Sequence, residues 1–134
     1  MPLPRWTSRF ETGIAVVDAQ HRELFSDLHH LHATLRKRQA GAALQEELAT
    51  LCQRTVKHFQ TEEQLMKEAA YPGRVAHAEQ HHDLLLKVRE LQYLCAKGQA
   101  MDAEVSDFLA GWFSHHILES DRDYAGHLRT ARDA

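Results

Sequence analysis

Four segments of this chain repeat apolar residues every three or four positions, and in each of them histidine shares the stripe with leucine or phenylalanine. That pattern constrains the fold more than any other feature. An α-helix turns about 100° per residue, so such a stripe forms one face, and the face must be buried against other helices. The first segment, 18–38, carries His21, Leu24, Phe25, Leu28, Leu31 and Leu35, with Asp18 in place to cap its N-terminus. The second runs from Gly41 to Ala70 through Leu44, Leu48, Leu51, Thr55, Phe59, Leu65, Met66 and Ala69. Tyr71-Pro72-Gly73 ends it, because proline lacks the amide donor and glycine permits a turn. The third, 74–97, presents His77, His81, Leu84, Leu85, Val88, Leu91 and Cys95 before Gly98. The fourth opens near Asp102 and carries Val105, Phe108, Leu109, Trp112 and His116 as far as Ser120.

No β alternation competes with these periods. Short connections force neighbouring helices antiparallel, so the expected fold is all-α, an up-down-up-down four-helix bundle. The expected organisation is a single domain over 1–134, with an N-terminal arm at 1–17, the bundle at 18–121 and a short C-terminal tail at 122–134. Net charge is −3 with acids and bases interspersed, which leaves no basic face for nucleic acid. The opening MPLPRWTSRF lacks the apolar run of a signal peptide, and no stretch approaches the roughly 20 apolar residues of a membrane span. A cytoplasmic protein is expected, with Cys52 and Cys95 as reduced packing residues.

The eleven histidines demand a reason. In HFQTEEQLM, residues 58–66, His58 stands four positions before Glu62, in the middle of the apolar face. Burying that pair needs a mutual hydrogen bond, a water or a metal ion, and the pair alone does not choose among them. The other helices narrow the choice. In antiparallel packing, His21 near the start of the first helix meets His58 and Glu62 near the end of the second, and His77 and His81 meet His116 in the same way. All fall toward one end of the bundle. Asp121 follows His116 by five residues, about 140° away on a regular helix, so it joins them only if the helix ends or bulges through a π-type turn. Five imidazoles and two carboxylates exceed what one first-row ion accepts, but suit two ions bridged by the carboxylates. His29, His30, His32, His82, His115 and His127 fall outside this register, and Glu63 is expected to be a solvent-facing partner.

His21, H58xxxE62, H77xxxH81 and H116xxxxD121 occur in that order, flanked by Trp6, Gly13, DAQH, YPGRVAH and WFSHHILESDRDY, and together they resemble a bacterial hemerythrin over nearly the whole chain. The resemblance implies one iron bound by His77, His81 and His116 and a second by His21 and His58. Glu62 and Asp121 would bridge the two ions together with an oxo or hydroxo group. It further implies reversible dioxygen binding at an open position, for carriage, storage or sensing, with a separate protein partner for any delivery or signalling. The same centre could instead act as an enzyme on peroxide or nitric oxide, or as an iron store. Leu24, Phe25, Phe59 and Trp112 are expected to wall the oxygen pocket, excluding water that would release reduced oxygen and leave ferric iron. Phe113 departs from the resemblance, standing where leucine commonly follows the tryptophan.

Overall fold

A computed structural model describes residues 3–37, 41–99 and 101–133. It contains α1 (Ala15–Arg36), α2 (Ala42–Glu68), α3 (Arg74–Ala96), α4 (Ala103–His116) and α5 (Arg122–Asp133), and no strand among the described residues. The first four pack as the alternating bundle, with α1 against α2 and α4, and α2 against α3. Leu24, Leu28, Leu31, Leu48, Leu51, Leu84, Val88 and Leu109 form the spine of the core. No described helix is long and apolar enough to cross a membrane. The expected extension of the first helix to residue 38 lies outside the described residues.

Asp18 is not the N-cap expected of it. Helix α1 starts three residues earlier, after Ile14, and Asp18 sits inside its first turn. There its carboxylate accepts hydrogen bonds from the Thr12 amide at 2.8 Å, the Thr12 hydroxyl at 2.8 Å and the Gly13 amide at 3.2 Å. A buried carboxylate thus gathers donors that precede the helix, and the arm is tied down as it enters α1. Beyond it, Trp6, Phe10 and Phe25 form an aromatic cluster with centroids 4.9–5.8 Å apart, which lays the arm across the bundle end beside His21.

The C-terminal tail is a helix. A five-residue π turn, Ile117–Asp121, joins α4 to α5 without a break. Tyr124, Ala125 and Leu128 of α5 bury themselves against Ile14, Val17 and Met66, forming a second apolar cluster beneath the bundle. Arg122 and Arg129 donate to the carbonyls of Arg9 and Thr12, so α5 also holds the arm. Phe108 is a further correction. Helix α4 turns Ser106, Leu109, Ala110 and Phe113 inward, leaving Phe108 50 % exposed with the Lys87 ammonium 5.9 Å from its ring.

Helices α2 and α3 end alike, with different residues in the demanding position. At the end of α3 the Gly98 amide bonds to Cys95 O and the Gln99 amide to Leu94 O, with Gly98 left-handed at φ 80°. At the end of α2 the Ala70 amide bonds to Lys67 O and the Tyr71 amide to Met66 O, with Ala70 left-handed at φ 50°. Both are Schellman caps, in which the left-handed residue suits glycine, and alanine accepts the strain of its Cβ there. Helix α2 therefore ends at Glu68 with the chain turning at Ala70, ahead of Pro72. Replacing Ala70 by Gly should stabilise the fold by about 1 kcal/mol, read as a higher urea midpoint at unchanged slope.

Candidate metal centre

The bundle places all seven sequence-predicted ligands at one end, each no more than 4 % exposed. His21 comes from α1, His58 and Glu62 from α2, His77 and His81 from α3, and His116 from the last residue of α4. Asp121 closes the π turn. An α-helix would carry it away from His116, whereas the wider π turn brings Asp121 Oδ1 to 3.0 Å from both His116 Nε2 and His77 Nε2. Its other oxygen, Oδ2, lies 3.1 Å from His21 Nε2. One carboxylate therefore faces two different sets of imidazoles, one with each oxygen. Glu62 stands across from it, with Oε1 2.7 Å from His58 Nε2 and 3.6 Å from His81 Nε2. The ligand atoms fall into two groups, each within 4.8 Å: Glu62, His77, His81, His116 and Asp121, and His21, His58, Glu62 and Asp121. Glu62 and Asp121 belong to both.

Hydrogen bonding around the site determines which ring nitrogens carry protons. Thr61 donates its hydroxyl to Lys57 O at 3.0 Å, so it accepts from Gln20 Nε2 at 3.2 Å. Gln20 Oε1 then faces His58 Nδ1 at 2.7 Å and must accept from it, which leaves the lone pair of His58 on Nε2. The Glu63 carboxylate likewise accepts from His81 Nδ1 at 3.0 Å. Lone pairs accordingly converge on the centre. His116 Nε2 lies 3.0 Å from His77 Nε2 and 3.2 Å from His81 Nε2, while both ring nitrogens of His21 and both oxygens of Glu62 and of Asp121 are buried without a hydrogen bond of proper geometry. Acceptors crowded together in a water-poor interior are stable only around positive charge, and two cations would satisfy them where two or three protons would leave most unpaired.

The electrostatics agree. Burial and the neighbouring rings of His77 and His116 push the His81 pKa far below the ordinary histidine range, so that ring is a neutral donor. Burial works against the charged form of His58, but the carboxylates of Glu62 and Asp121 prevail and raise its pKa. Burial would also raise Asp121, yet the close imidazoles of His116, His21 and His77 hold its carboxyl well below the usual carboxylate range. Tyr124, edge-on to His77 with centroids 5.2 Å apart, has its pKa raised by burial and by Glu62 and Asp121, and stays a phenol.

Aromatic rings cover the ligands. Phe59 stacks on His81 at 3.6 Å and 3°, and Trp112 stacks on His116 at 4.5 Å and 15°. Leu24, Phe25 and Phe113 are buried nearby, whereas Trp112 is half-buried and lines an outer cleft of about 250 Å³ with His115, Asp83 and Glu119. Trp112 thus stands on the solvent side of its histidine. His82 and His115 are exposed, the latter paired with Glu119 at 2.9 Å, while His29, His32 and His127 bond to Pro4 O, Ser106 Oγ and Ala69 O. Sequence reasoning missed Gln20 and Tyr124, and took Glu63 as a solvent-facing partner without naming His81 as the group it supports. Adjacency to His21, His81's partner helix and the π-turn phase were the only signals.

Residues 12–128 match the Hemerythrin HHE cation binding domain. The chain is 33 % identical to a bacteriohemerythrin of Stenotrophomonas maltophilia over 129 residues, covering 96 % of this chain and 84 % of that one. It is 28 % identical to the myohemerythrin of Sipunculus nudus over 130 residues, covering 95 % and 98 %. A wild-type hemerythrin crystal structure superposes with a TM-score of 0.86 at 27 % identity, covering 95 % of this chain and 98 % of the other.

Two expectations test the centre. In the metal-free chain, the proton on His58 stabilises the fold below its raised pKa and is lost as pH rises through it, exposing Glu62 to uncompensated burial. A bound cation replaces that proton, so the rise in melting temperature on adding a divalent ion should grow as pH increases from the ordinary histidine value near 6.5. Calorimetry across that range reads it. Separately, His116→Ala should weaken metal binding by more than the roughly 10–100-fold typical of losing an outer partner, while His115→Ala should leave it unchanged, as measured by equilibrium dialysis.

Proposed function

Because the chain belongs to the hemerythrin family, we propose that it binds dioxygen reversibly at a centre of two iron ions, in oxygen carriage, storage or sensing. The observation that carries this reading is the pair of ligand groups sharing Glu62 and Asp121. His77, His81 and His116 would hold one ion and His21 and His58 the other, with both carboxylates and an oxo or hydroxo group between them. Imidazole and carboxylate donors suit iron. Bound iron supplies the electrons that dioxygen takes up and later returns.

The side chains account for the reversible character. The second group offers one donor fewer than the first, which leaves room for a small exogenous ligand at its ion. Two carboxylates against five imidazoles is a weakly anionic set, ill suited to supporting the high-valent iron that an oxidising enzyme needs. Phe59, Leu24, Phe25 and Phe113 keep water from the centre, and Trp112 covers one face of His116 at the outer cleft that both residues line. Water and protons are what would convert bound oxygen into a released reduced product, so exclusion favours its return as dioxygen.

Stopped-flow mixing of the anaerobic ferrous protein with oxygen should produce visible absorption within seconds, and argon should abolish it with return of the ferrous form. Ferric protein with peroxide released on every cycle would favour the enzymatic reading instead. Trp112→Ala should speed autoxidation while leaving iron content unchanged, and an unaltered rate would reduce Trp112 to packing.

A further inference from the structure

The histidines of the centre are not supported equally from behind. His58 donates its outer N–H to the neutral amide of Gln20 at 2.7 Å. His81 donates to the Glu63 carboxylate at 3.0 Å, and the outer nitrogen of His21 is buried with no partner. An amide fixes the ring's tautomer and direction. A carboxylate does that and also draws the N–H proton toward itself, making the ligating nitrogen a stronger donor. Phe59, face to face with His81 at 3.6 Å, holds the ring plane as well.

Glu63 lies between the His81 ring and solvent. It is 40 % exposed at the edge of a groove of about 600 Å³ between α2 and α3, lined also by Gln60, Lys67, Arg74 and Val75. Among the described residues, no lysine or arginine lies within ion-pair distance of it, and the neutral ring of His81 is the partner it holds. The anion is therefore directed at the ring, and through the ring at whatever His81 ligates.

We propose that Glu63 is a positioning residue that acts through His81 to lower the reduction potential of the ion held by His77, His81 and His116, making the two ions of the pair electronically unequal. This rests on the di-iron reading. The added negative charge stabilises the ferric ion over the ferrous one, so its partner ion, backed by Gln20 and by no anion, is the harder of the two to oxidise.

Glu63→Gln and Glu63→Ala, prepared as iron-loaded full chains, separate charge from hydrogen bonding. Gln retains an acceptor for the His81 N–H, and Ala leaves it to groove water. Both variants should retain two irons and shift the midpoint of a spectroelectrochemical titration positive. A tenfold loss of preference for ferric iron would appear as about 59 mV per electron. A midpoint that shifts in Ala but is restored to the wild-type value in Gln would assign Glu63 to orientation alone and overturn the proposal. Unchanged midpoints in both, or loss of iron from both, would overturn it too, the latter making Glu63 a scaffold for binding. Failure of the wild-type chain to hold two irons would instead remove the di-iron reading, and this inference with it.

Discussion

Two carboxylates with no exposed surface, Glu62 and Asp121, govern the architecture around them. An ionised carboxylate in an apolar interior is tolerable only when donors or cations surround it, and here the surrounding groups are imidazoles drawn from all four bundle helices. Each helix is thereby committed to a particular rotation and height. The apolar stripes bring the helices together in a non-directional way, while the carboxylates and their imidazoles determine how far each is slid and turned. Helix α4 departs from the expected rotation, with Phe108 outside and Phe113 inside, and the π turn that follows it brings Asp121 to His116.

Outside this centre, support comes in a ring. Gln20 and Glu63 orient imidazoles from the flanks, and Phe59 and Trp112 press on ring faces. Below, α5 holds the arm through Arg122 and Arg129, and α1 holds it through Asp18. The arm's Trp6 reaches as far as His21, so the arm takes part in holding the site.

Much of this was legible in the sequence, because helix periodicity is a property of one segment at a time. The bundle, its connections and the gathering of six candidate ligands at one end follow from counting residues along single helices, and Asp121 joins them only through the π turn. What escaped depends on geometry that counting does not carry. Gln20 meets His58 and Glu63 meets His81 across helix boundaries, where spacing within one helix says nothing. The α5 stripe of Tyr124, Ala125 and Leu128 is regular, but the π turn shifts its phase relative to α4, so it does not continue the pattern and reads as a tail. Asp18 has the composition of a cap, yet three donors upstream of the helix draw it one turn inward.

The π turn has a consequence for how the chain can change in length. A π turn amounts to one residue inserted into a helix, and Ile117–Asp121 is the point where that insertion is absorbed. Losing a residue from this stretch would restore regular α periodicity and swing everything beyond it by about 100°. Asp121 would leave the imidazoles, and the buried face of α5 would turn outward with it. Surface connections generally tolerate insertions and deletions far better, since they run outside the packed core. Across descendants of such a chain, length variation should therefore gather at the connections and be purged from these five residues, even where their side chains are free to drift.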